Sequence, residues 1–178
     1  VEEKEWAAAA CNGDEEAYYR LVSMHRRRLY GIAYGYMRSE GDALEMLQEM
    51  TCRGLIKCHK LRDPGAFIPW LIRILIHCCM DELKRRKRSI QLTEHHMADQ
   101  ITEMKEEDRL DLEKALDRLK PNYRHVLILK YYDDMTVTEI ARVLERSEGT
   151  IKTWIHQGLK QIRNKMYLGG ELWHERTK

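Results

Sequence analysis

Thr136 to Ile162 reads TVTEIARVLERSEGTIKTWIHQGLKQI, and this stretch decides how the rest of the chain is understood. Thr136 followed three residues later by Glu139 forms a capping box, so a helix can begin there with its first N–H groups satisfied. Ile140, Ala141 and Leu144 give that helix a small apolar face. The turn falls at Glu145 and Arg146, and Ser147 is a favourable N-cap for a second helix. In the second helix Ile151, Ile155, Leu159 and Ile162 recur at helical spacing. That spacing leaves Glu148, Gly149, Thr150, Lys152, Thr153, His156, Gln157 and Lys160 mainly outward. Two short helices joined by a tight turn, the second showing short polar and basic side chains, suit entry into a DNA major groove. The competing reading is an ordinary helical hairpin in an α-helical core.

The bulk composition agrees with a helical protein. The chain has 178 residues with three prolines, ten glycines and 43% hydrophobic residues, enough apolar side chain for packed cores and too much for a disordered chain. The formal charge of +2 hides a segregation: Lys84 to Arg88 is KRRKR, whereas Glu94 to Glu113 holds eight carboxylates and two Lys or Arg side chains. Basic surfaces for a polyanion beside an acidic connector fit that pattern. No run of eighteen apolar residues is present, so no membrane span is expected. The first residues, VEEKEW, lack a signal-peptide core, and five cysteines without framework spacing argue for reduced thiols. The expectation is a cytoplasmic protein.

Periodicity predicts a helix from Glu15 to about Met37, interrupted by Ser39 to Gly41, and another from about Asp42 to Cys58. His59 to Gly65 (HKLRDPG) carries strong turn chemistry. A third helix runs from Phe67 to about Lys87, starting close to Ala66 because Pro69 is tolerated only in a first turn. These helices suffice for one core ending near Arg88. Ser89 to Glu107 reads as a flexible acidic linker. Leu110 to Leu119, a helix entered at Pro121 and the helix-turn-helix make a second unit, with a loosely held tail from Gly169. The fold class is therefore all-α, with two small helical domains.

Candidate chemistry is concentrated in basic side chains. Arg73, His77, Lys84 and Arg88 lie roughly along one stripe of the third helix, next to a loop with Lys60 and Arg62; Arg85 lies in the same basic run. Such groups neutralise phosphates and release counterions. Trp70 could stack on an unpaired base, but flanked by Leu71, Ile74 and Leu75 it reads better as a core side chain. Cys52, Cys58, His59, His77, Cys78 and Cys79 lack zinc-ligand spacing, and small core hydrophobes are the better reading of the thiols. No Gly-rich phosphate loop, nucleophile elbow or HExxH motif occurs, so no catalytic residue, metal or cofactor is expected.

Taken in order, the motifs resemble the sigma factors of bacterial RNA polymerase, in particular the extracytoplasmic-function (ECF) subgroup, which keeps the second and fourth conserved regions. DALEMLQEM at Asp42 to Met50 resembles the family's core-binding helix. LRDPGAFIPWLIRILIHCCMDELKRR at Leu61 to Arg86 resembles the stretch that opens promoter DNA and reads the minus-ten element. Ala115 to Arg163, with GTIK at Gly149 to Lys152, resembles the fourth region. The resemblance spans about Asp14 to Tyr167.

The resemblance implies residues 1–88 as region 2, 89–107 as linker, 108–167 as region 4 and 168–178 as tail. It places Asp42, Glu45, Gln48 and Glu49 against the β′ clamp of core RNA polymerase, and makes the β flap a second contact. It sets His59 to Gly65, with Lys60 and Arg62, where a non-template base is captured; flipping that base costs a few kcal/mol of unstacking. Arg73, His77, Lys84 and Arg85 would face the melting duplex. Thr150, Lys152, Thr153 and His156 would approach the minus-thirty-five element, with Arg146 and Lys160 near phosphates. An anti-sigma factor is a further implied partner.

Four positions depart from the family pattern. His77 stands where Asn is usual, and Trp154 where a basic residue is common. Glu145 replaces a frequent turn glycine, at ~1 kcal/mol if φ is positive. Glu148 repels phosphate unless it accepts from a cytosine amino group. The alternatives are a free-standing helix-turn-helix regulator, which needs no polymerase-binding helix, and a thiol or metal protein built on the Cys/His residues.

Overall fold

The computed structural model describes residues 2–94 and 115–174, and among them only helices, turns and loops occur. The chain divides into two compact units, one built mainly from the helices up to residue 94 and one from most of the chain that follows.

Five helices build the first unit, two more than periodicity resolves. The additional α1 (Glu2–Cys11) is short and Ala-rich, with Glu2, Glu3 and Glu5 in its first turn. Alanine has the best helix propensity, and acids complement the positive end of the helix dipole. α1 buries Ala7 and Ala10, and Gly13 at φ +98° turns the chain into α2 (Glu15–Met24). The expected helix from Glu15 to Met37 is two helices: it breaks at His25, and α3 (Arg26–Met37) follows. No glycine or proline marks that break, so the pattern did not reveal it.

α3 ends at Arg38, which takes a left-handed conformation, and Ser39 caps α4 (Glu40–Lys57) by accepting the Asp42 N–H. α4 therefore begins two residues earlier than expected, with Gly41 inside its first turn. Two 3-10 turns, Cys58–Lys60 and Pro64–Ala66, lead into α5 (Phe67–Glu94). Pro69 falls in the first turn of α5, as its missing N–H requires. α5 continues past Arg88 to Glu94, so the first part of the expected linker is helical.

The core of this unit is Tyr18, Leu21, Leu29, Ile32, Met50, Phe67, Leu71, Ile72 and Leu75, all essentially buried. The Tyr18 hydroxyl donates to the Thr51 carbonyl at 3.0 Å, which satisfies a buried polar group across helices α2 and α4. This contact needs Gly54: a Cβ there would collide with the Tyr18 hydroxyl and lie 3.0 Å from Leu71 Cδ1.

The second unit contains helical residues 115–117, α6 (Pro121–Tyr132), α7 (Val137–Leu144) and α8 (Glu148–His174). Pro121 occupies the first turn of α6 as expected. Val126 to Leu129 are all buried, so α6 is the central helix of this unit. α6 packs on α8, where Gly158 is buried against Leu127 and Tyr123. Asp134 at φ 49° turns the chain after α6. The backbone of α8 stays helical to His174, beyond the start of the expected loose tail. The region from residue 95 to 114, with most of the linker, lies outside the described residues.

Candidate nucleic-acid and polymerase interface

α4 presents a continuous outward face. Glu45, Gln48 and Glu49 are exposed, as their assignment to a partner surface requires. Leu44 and Ile56, both apolar, are 40% and 71% exposed. Leu44, Gln48, Cys52 and Ile56 recur every fourth residue and form one mixed stripe, while Ala43, Met46, Leu47, Met50 and Gly54 face inward. Sequence reasoning missed the two apolar members; the signal was that they share a register with Gln48 rather than with Met50. Glu49 accepts from Arg53 Nε at 2.6 Å, and the same guanidinium reaches Asp81 at 3.3 Å.

Asp42 lies at the edge of that face and is engaged within the protein. Its carboxylate takes two bonds of 2.8 Å from the Arg86 guanidinium of α5. Arg86 Nε also donates to Glu82 at 2.7 Å, and Arg85 donates twice to Glu82 at 2.7 Å. Glu82 is the one buried charged side chain among the described residues. Hydrogen bonds from Arg85 and Arg86 hold its pKa down at about 2, and Arg86 likewise lowers that of Asp42. The first effect of Asp42 is thus to fix the start of α4 against α5. Arg85, expected to face DNA, has an exposed side chain whose guanidinium is drawn to Glu82.

The loop between α4 and α5 is ordered by short-range bonds. Asp63 Oδ1 accepts the Gly65 N–H at 2.9 Å, an Asx-turn that opens the second 3-10 turn. Phe67 anchors the loop's end, its ring 5.8 Å from both Tyr18 and Trp70. This leaves His59, Lys60 and Arg62 exposed above a fixed base. Trp70 is half-buried, an intermediate between the core and stacking readings. On α5, His77, Lys84 and Arg88 are exposed and Arg73 is half-buried. Their spacing puts them on one face.

The helix-turn-helix has the local chemistry expected of it. Thr136 N–H donates to Glu139 Oε2 at 2.8 Å, and the Thr136 hydroxyl accepts the Glu139 N–H at 3.2 Å, which completes the capping box. Ser147 Oγ accepts the Thr150 N–H at 3.2 Å. Glu145 sits at φ 53°, the strained geometry that glycine would relieve. Glu148 is not aimed outward alone: its carboxylate accepts from the Thr138 hydroxyl at 2.7 Å and ties the starts of α7 and α8 together. Ile140, Val143 and Ile151 are buried, Val143 in addition to the expected set, whereas Ile155 and Leu159 are half-buried. Arg146, Lys152, Thr153, His156, Gln157 and Lys160 are exposed and Thr150 half-buried, so α8 presents a polar, cationic face. The Thr153 hydroxyl donates back to the Gly149 carbonyl at 2.9 Å.

An α4 with an exposed polar face, a basic α5 and a capped helix-turn-helix lie in one chain. Sigma-70 region 2 matches residues 21–89 and Sigma-70, region 4 matches residues 109–162. The chain belongs to the ECF sigma factors. The RNA polymerase sigma factor SigV of Bacillus subtilis is 28% identical over 144 residues, 80% of this chain and 86% of the relative. The ECF RNA polymerase sigma factor SigW of the same organism is 24% identical over 170 residues, covering 86% and 91%. The fold is shared with CnrH, solved with the cytosolic domain of CnrY, at a TM-score of 0.68, 22% identity and coverage of 93% and 97%. It is also shared with the sigma factor RpoE of Bartonella quintana, solved with the anti-sigma factor NepR, at 0.61, 17% identity and coverage of 84% and 96%. Among the described residues of this sigma factor no helix is long and apolar enough to cross a membrane, and no metal-binding cluster occurs.

Proposed function

We propose that this sigma factor binds core RNA polymerase through the outward face of α4 and directs it to promoters with two elements. The observation that carries the reading is the pairing, in one chain, of the region 2 and region 4 sequences with exposed polar faces on α4 and α8. A free-standing regulator would need only the second, and no match supports that alternative.

Glu45, Gln48 and Glu49 contact the β′ clamp, with Leu44 and Ile56 supplying apolar area beside them; Asp42 acts by holding α4 in place through Arg86. Residues 1–88 serve as region 2 and 108–167 as region 4, the latter also meeting the β flap, with residues 89–107 as linker and 168–178 as tail. Lys60, Arg62, Arg73, His77 and Lys84 attract the strand that is exposed as the minus-ten element melts. Arg85 joins them by exchanging Glu82 for phosphate. At the minus-thirty-five element Thr150, Lys152, Thr153 and His156 read the groove, while Arg146 and Lys160 meet phosphates. Phosphate contacts fix register, and base-edge contacts carry the sequence discrimination. The sigma factor works in the cytoplasm and adds no catalytic step to that of the polymerase. An anti-sigma factor masks these faces, a reading supported by the partners named for the two structural neighbours.

Reconstitution with core polymerase and mapping of transcription starts on genomic DNA tests this directly. New starts sharing two spaced elements are expected, and the absence of any new start defeats the reading. Replacing both Glu45 and Gln48 with Ala should abolish polymerase binding while the helical content of the protein stays unchanged.

A further inference from the structure

None of the five cysteines is assigned a role in the proposed promoter recognition, yet two of them meet. Cys11, at the end of α1, and Cys58, which opens the first 3-10 turn after α4, lie 47 residues apart in sequence with their sulfurs 3.8 Å apart. Both are free thiols, Cys11 half-buried and Cys58 almost fully buried. Cys52 lies on the exposed face of α4, and Cys78 and Cys79, adjacent in sequence, are buried on α5.

We propose that Cys11 and Cys58 form a reversible disulfide that fastens α1 to the base of the α4–α5 loop. A disulfide requires the sulfurs to close to ~2.0 Å, within reach of side-chain rotation from a contact of this kind. Hydrogen peroxide is the oxidant. The more accessible Cys11 thiolate attacks one peroxide oxygen; the S–O bond forms, the O–O bond breaks, and the departing oxygen leaves as water after protonation. The Cys58 thiolate then attacks the Cys11 sulfur, the S–S bond forms, and the S–O bond breaks to release a second water. Two thiols have lost two protons and two electrons, and one peroxide has become two waters.

The surroundings favour this pair over the others. α1 packs directly on both 3-10 turns, so the sulfurs are held together by contacts outside the cysteines themselves. Burial pushes the Cys58 thiol up to about 12, with its Cys11 neighbour adding to the rise. The second step is therefore slow at neutral pH and quickens as pH rises, because the thiolate is the nucleophile. Once formed, the bond closes a long loop of the unfolded chain and restrains the segment carrying His59, Lys60 and Arg62.

Graded hydrogen peroxide on the full-length protein, followed by non-reducing peptide mapping, tests the proposal. A Cys11–Cys58 linked peptide should dominate, form faster at pH 8.5 than at pH 7, and disappear with dithiothreitol. The oxidised protein should melt ~5 °C or more above the reduced protein. Cys52→Ser should keep both effects, and Cys11→Ser should lose both. Overoxidation of Cys11 with Cys58 left as a thiol, or linkage dominated by Cys52, would overturn it.

Discussion

Glu82 shows how a buried charge can be tolerated and what it costs. It sits 8% exposed beneath the basic end of α5, where both carboxylate oxygens accept from Arg85 and one also accepts from Arg86. Its pKa is lowered from 4.5 to about 2 by those bonds. A carboxylate with a lowered folded pKa adds stability that is present above its unfolded value and is lost as pH falls through the folded value. The sigma factor should therefore lose stability between about pH 5 and pH 2. Glu82→Gln should cost about 2 kcal/mol at pH 7, less than a fully buried pair because Arg85 is mostly exposed. It should also flatten the acid limb of the stability curve, as chemical denaturation at a series of pH values would show; an unchanged limb would place the acid sensitivity elsewhere. Part of this cluster was legible, since Glu82 precedes Arg85 and Arg86 by three and four residues. The bond from Arg86 to Asp42, 44 residues away, was not, because no local spacing links the two residues.

Helices whose ends are written locally were legible, and those whose ends depend on packing were not. Thr136, Glu139 and Ser147 announce their helices because each caps a backbone N–H within three residues. The break at His25 carries no such mark, and α1 lacks a pronounced apolar stripe to declare it. Glu145 sits between these cases: its position in the turn was readable, and its φ of 53° realises the strain that a missing glycine implies. Glu145→Gly should therefore exceed Glu145→Ala in stability by about 1 kcal/mol, since alanine keeps the Cβ that opposes the left-handed conformation. Thermal melts of the two variants decide this, and equal stability would mean that the turn relaxes. Gly54 makes the opposite demand. Alanine there must displace the Tyr18 hydroxyl from the Thr51 carbonyl, so Gly54→Ala should destabilise the first unit by about 1–3 kcal/mol, measured by denaturant unfolding. Tyr18→Phe in the same background should recover part of that loss, because the clash is with the hydroxyl.

For the molecule as a whole, a net charge of +2 says little about nucleic acid, whereas the distribution of charge says a great deal. Basic side chains on α5 and α8 flank an acidic connector, and the order of the motifs made both regions recognisable before any distance was known. The division of labour among those cations is the part that remained unwritten in the sequence, because a lysine reading a base and a lysine meeting a phosphate have the same exposed appearance. Salt dependence separates them. Each phosphate contact on duplex DNA contributes about 0.9 to the slope of log affinity against log salt. Lys152 and Lys160 are both exposed on α8. If both meet phosphates, replacing the pair with alanine should weaken holoenzyme binding to every promoter alike and reduce the slope by about 2. If Lys152 reads a base instead, the slope should fall by about 1, and discrimination at a single minus-thirty-five position should relax by about 1–3 kcal/mol. Titrating wild-type and variant holoenzyme against matched and singly substituted promoters at several potassium chloride concentrations resolves these outcomes. An unchanged slope with unchanged discrimination would remove this face of α8 from the promoter contact.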